Sequence, residues 1–104
     1  MTRVQITGFT VSENGERAPF HLVIGEPQAY PEEDRRAGLW GASLECTLTP
    51  PDFDVVSEWP DHTVAVAIQI VLERLEDERM TLEDDEGMAI TLPTPESIFP
   101  KFVD

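Results

Sequence analysis

The chain has 104 residues, of which 21 are Asp or Glu and 7 are Lys or Arg, giving a formal net charge of −14 with a hydrophobic share of 40%. That length makes one domain, residues 1–104, with a single modest core, and the apolar share is sufficient for folding, so the acid excess does not signal disorder. A surface this acidic repels nucleic-acid phosphates and anionic lipid headgroups and attracts basic partners or cations, which argues against nucleic acid and membrane as partners.

Arg3 to Phe9 reads as a strand, with Val4 and Ile6 on one face and Gln5 and Thr7 on the other. Gly8 is expected to mark a bulge where the face switches toward Phe9 and Val11. Asn14-Gly15 is a strong hairpin signal, and Ala18 to Ile24 forms the return strand with Phe20, Leu22 and Ile24 inward and His21 outward. Gly25 and Pro27 end it. Gln28 to Gly38, rich in Glu32, Glu33, Asp34, Arg35 and Arg36, reads as an exposed loop whose charges partly cancel.

Leu39 to Leu48 alternates cleanly, placing Trp40, Ala42, Leu44, Cys46 and Leu48 on one face, until Pro50-Pro51 stops it. Phe53 to Val56 is a fourth strand or an extended connector. A helix follows from Ser57 or Asp61, either of which can cap it, to about Arg79. Val64, Ala67, Ile68, Val71 and Leu75 keep helical spacing, and Val66 and Ile70 widen the stripe beyond half the circumference. Such a helix needs a second cover besides a sheet, from the C-terminal tail or from another chain. After the acidic turn Glu83 to Glu86, the alternation of Met88, Ile90 and Leu92 predicts a short strand. Ser97 to Phe99 predicts one helical turn, with Phe99, Phe102 and Val103 docking on the core. The fold class is α+β: an antiparallel sheet of four to five strands with one long helix packed on one face.

Leu22-Val23-Ile24-Gly25-Glu26-Pro27, the charged loop, Trp40 in a strand and an Ala/Val/Ile-rich helix opening at Asp61 resemble a small bacterial family of unknown function across residues 18 to 78. Where that family carries Cys two positions after the Trp, and Gln-Ala early in the helix, this chain has Ala42 and Val64-Ala65. The resemblance implies a β-β-β-α order and no chemistry.

Catalytic and metal motifs are missing from the sequence. Cys46 sits on an apolar strand face, as a small core residue does; a thiol–imidazole pair with His21 or His62 would need to converge in space, and one Cys with two dispersed His gives no metal-ligand spacing. An EF-hand register with Gly87 sixth puts Leu82 first and Pro93 last, where carboxylates are required. No cofactor and no metal is implied, and the reading is not an enzyme. The lone cysteine and the lack of a leader-like or spanning apolar run point to a cytoplasmic protein.

The expected function is an acidic protein-binding module, similar in type to immunity proteins that inhibit basic, nuclease-type toxins. The expected contacts are Glu83, Asp84, Asp85 and Glu86, with Glu76, Asp77 and Glu78 beside them and Trp59 as an exposed aromatic anchor. The alternative is a homodimer of structural role, formed over the second apolar face of the helix.

Overall fold

β1 (Thr2–Val11) and β2 (Arg17–Gly25) pair antiparallel in the computed structural model, which describes residues 2–101. Their hairpin closes with Gly15 N donating to Ser12 O at 3.0 Å and Ser12 N to Glu16 O at 2.9 Å. Only Gly15 of the tip takes a positive φ, at 84°, so the loop is a tight turn followed by a left-handed residue, which glycine supplies without a Cβ clash.

Gly8 marks no bulge. The register runs unbroken from Val4↔Ile24 to Val11↔Arg17, and the irregularity falls between Thr2 and Val4. The inward face therefore keeps its parity, and Thr10 rather than Phe9 or Val11 is buried on it. The glycine is needed for space, since a Cβ there would stand 2.5 Å from Glu83 O and 2.7 Å from Ile90 Cδ1.

β3 (Gln28–Ala29) lies inside the stretch expected to be loop and pairs with β4 (Trp40–Cys46). It continues the line of β2 after a slip: the step from Ile24 to Gln28 faces the shorter step from Leu44 to Gly41, leaving one extra residue around Glu26-Pro27. Trp40, expected in the core, is only half-buried at the end of its strand, whereas Ala42, Leu44 and Cys46 are buried as their alternation requires. β5 (Phe53–Ser57) is a strand rather than a connector and pairs with β4.

α1 (Pro60–Asp77) starts one residue after Trp59, its N-cap, so neither Ser57 nor Asp61 caps it. Pro60 takes the first turn, where its missing N–H costs nothing. Val64, Ala65, Ala67, Ile68 and Val71 are fully buried on the sheet, and each large side chain among them contributes roughly 1.5–3 kcal/mol of transfer free energy. Past the cap residue Glu78, Arg79 turns left-handed (φ 55°) and Met80 N donates to Leu75 O at 2.9 Å, closing the helix.

β6 (Thr81–Glu83) precedes the acidic turn and pairs with β1 from Phe9 to Val11. Met88 to Leu92 forms no strand. A lone antiparallel bridge joins Glu83 to Ala89 on the edge of β6, with Asp84 N donating to Met88 O and Ile90 N to Leu82 O, and Met88 is 64% exposed. α2 (Pro95–Ile98) packs on α1, with Thr94 Oγ1 accepting from Ser97 N. Phe102 and Val103 lie outside the described residues.

The result is an antiparallel sheet in the order β6-β1-β2-β4, with β3 and β5 both on β4 and α1 across one face: an α+β fold. Leu92, Pro95 and the half-buried Ile98 from the C-terminal segment help cover the helix. No helix among the described residues is long and apolar enough to cross a membrane.

Candidate functional site

The carboxylates expected to bind a partner stand at the end of α1 and in the turn after β6, with the tip of the β1–β2 hairpin beside the helix end. Because Val11 pairs with Thr81, the hairpin tip and the end of α1 come together, and Arg79 Nη1 reaches Glu13 Oε1 at 3.5 Å. Glu76, Asp77 and Glu78 are exposed there. β6 then runs back along β1 and carries the turn about 10 Å away, at ~3.3 Å per residue.

That turn is ordered by its own acid. Asp84 Oδ1 accepts from Glu86 N and from Met88 N, both at 2.9 Å, while Gly87, at φ 84°, donates to Asp84 O. Arg17 lies beside it, with Nε 3.5 Å from Glu83 Oε1 and Nη2 donating to Asp84 O at 3.1 Å. The expected quartet therefore splits. Glu83 and Asp84 are half-buried and already engaged, whereas Asp85 and Glu86 project into solvent. Among the described residues no cation lies within ion-pair distance of Glu76, Asp77, Glu78, Asp85 or Glu86.

Trp59 does not join this surface. It sits at the opposite end of α1, whose 18 residues at about 1.5 Å each put it about 27 Å from Glu76 to Glu78. It is 54% exposed, and its indole is fixed by Phe99 stacked at 5.9 Å and by His62 edge-on at 6.1 Å. These residues border an open concavity of about 760 Å³ that Asp61 and Lys101 also line.

Beneath the aromatic corner lies a polar knot. Thr63 Oγ1, wholly buried, donates to Trp59 O at 2.8 Å and lies 2.9 Å from Ser57 Oγ, which also accepts from Trp59 N. His62 Nδ1 is 3.0 Å from the same hydroxyl. The Ser57 hydroxyl is thus spent on closing the start of α1 from outside the helix, and it does not line the concavity. Phe99, His62 and Ser57 had no sequence signal as a group, because one of them arrives from the far end of the chain.

The remaining reactive side chains stay apart. Cys46 is buried on the inner face, where burial pushes its thiol pKa up, while His21 faces outward near Thr47 Oγ1 at 3.3 Å. Among the described residues no three His, Cys, Asp or Glu side chains converge as a metal-holding group. No family model, curated protein or solved structure matches this chain.

Proposed function

We propose that the protein is a non-enzymatic binding module whose acidic end engages a basic protein partner, in the manner of an immunity protein that neutralises a basic, nuclease-type toxin in the cytoplasm. The observation that carries this reading is the local charge balance. Arg17 and Arg79 are committed to Glu83 and Glu13, and Arg74, in the last turn of α1, makes no ion pair, so Glu76, Asp77, Glu78, Asp85 and Glu86 face solvent outside any ion pair among the described residues. Such a field steers a cationic partner and raises its association rate, more strongly at low salt.

A homodimer over α1 is the second reading. It is the weaker one, because α2 and the C-terminal segment pack on the helix and leave Val66 and Ile70 half-buried rather than bare.

The test is affinity capture from host lysate with the wild-type chain and with a Glu76→Lys, Glu78→Lys, Asp85→Lys, Glu86→Lys variant, at low and high salt. The expected result is one basic protein held near stoichiometrically by the wild type, released by salt and not held by the variant. Equal retention by both chains would overturn the reading.

A further inference from the structure

The two edges of the sheet are treated differently. At β6 the chain covers its own edge: Asp84 N donates to Met88 O at 2.8 Å, Ile90 N donates to Leu82 O at 3.0 Å, and Glu83 bridges Ala89. At the other edge β5 pairs with β4 from Leu44↔Phe53 to Trp40↔Ser57, and among the described residues no backbone group pairs with it on its far side. Alternate residues of an edge strand direct N–H and C=O away from their one neighbour, which makes a template for another strand.

We propose that this edge is a strand-addition site for an extended segment of a partner protein carrying Lys or Arg at alternate positions. The side chains along the edge choose that chemistry. Phe53, Val55 and Ser57 turn toward the core side, whereas Asp54 and Val56 are exposed on the opposite face, Val56 at 38%. Asp52 and Glu58 are exposed just beyond the two ends of the strand. None of Asp52, Asp54 and Glu58 lies within ion-pair distance of a cation among the described residues, and Asp54 feels one only at longer range, from Arg36, which Asp34 already holds. A second copy of this edge would set carboxylate against carboxylate, which is repulsive across a strand pair. A strand with alternating cations on the face of Asp54 and Val56 gains cross-strand ion pairs with the carboxylates, and the methylene stem of the cation opposite Val56 covers that side chain. The edge leads directly to Trp59, whose exposed indole offers a cation a π-face at the end of the track. This surface lies on the opposite edge of the sheet from the acidic turn, so it stands or falls separately from the charge-driven contact proposed above.

The probe is a capped eight-residue peptide of alternating Lys and Val, compared with the same peptide N-methylated at alternate residues, which keeps the charge and removes backbone pairing. Each is titrated into the ¹⁵N-labelled full-length protein. With the plain peptide, shift changes and slowed hydrogen exchange are expected at residues 53–57. The N-methylated peptide is expected to bind at least tenfold more weakly. An Asp52→Lys, Asp54→Lys variant should lose the plain peptide, and an Asp85→Lys, Glu86→Lys variant should keep it. Equal binding of the two peptides, perturbation centred on residues 76–86, or no binding of the plain peptide at millimolar concentration would each overturn strand addition. Loss of the lysate partner from the acidic-end variant alongside any of these three results would leave the binding-module reading standing.

Discussion

At the residue scale, space and local charge act separately. The Cβ that Ala would bring to Gly8 meets a backbone oxygen, Glu83 O at 2.5 Å, which cannot swing aside as a side chain can. Gly8→Ala should therefore cost about 1–3 kcal/mol, read as a lower urea midpoint at unchanged slope. Asp34 shows the charge effect. Its carboxylate accepts from Arg36 Nε and Nη2, both at 3.0 Å, and from Arg36 N at 2.8 Å, while that guanidinium stacks over Tyr30. Those bonds lower the Asp34 pKa to about 2 from an ordinary 3.8. A folded value below the unfolded one means that any stability from this pair is present above pH 3.8 and is lost as pH falls through 2. An NMR titration should place the Asp34 midpoint near 2, and Arg36→Gln should return it toward the usual carboxylate range.

At the element scale, α1 holds the fold by one face and is trimmed by the C-terminal segment on the other. Ile68 is wholly buried between helix and sheet, so Ile68→Ala should destabilise by about 2–5 kcal/mol, a large share of a typical domain's stability. Ile70→Ala, on the half-buried flank, should cost less because its site relaxes into solvent. Equal losses in chemical denaturation would mean that the flank is as tightly covered as the core face. The hairpin, the alternation of β4 and the amphipathic stripe of α1 were legible in the residues, since each is a local periodicity that burial reads directly. β6 was not legible. Thr81–Glu83 is too short to show a pattern, and it is a strand only because β1 lies beside it. The same limit hid β3, whose Gln28–Ala29 gains its pairing from Trp40 and Gly41.

For the whole molecule, the net charge of −14 is the dominant long-range term. Raising NaCl from about 0.1 M to about 1 M shortens the Debye length from about 10 Å to about 3 Å and should relieve self-repulsion. A gain of ~1 kcal/mol would appear as a rise of about 4–8 °C in Tm. The four-lysine variant of the acidic end should melt higher than wild type at low salt and respond less to NaCl. A flat Tm across salt would show that the carboxylates are spaced widely enough to ignore one another. The candidate surface was half legible. The carboxylates of Glu76 to Glu78 and Asp85-Glu86 are exposed, as charged residues at a helix end and a turn should be. Trp59 is exposed too, but about 27 Å away along α1, because a helix that length sets its two ends on opposite sides of a small domain.

The residues alone determined the acidic character, the α+β class, the main hairpin and the buried face of the helix, because composition and periodicity are properties of a segment by itself. The tertiary structure decided what depends on a neighbour from far along the chain. It kept Gly8 in register, joined Arg17 to Glu83, stacked Phe99 on Trp59, covered the edge of β6 and left the far side of β5 unpaired among the described residues. Each of those outcomes is a pairing between distant segments, and a pairing is set by which edges and faces the folded sheet leaves open.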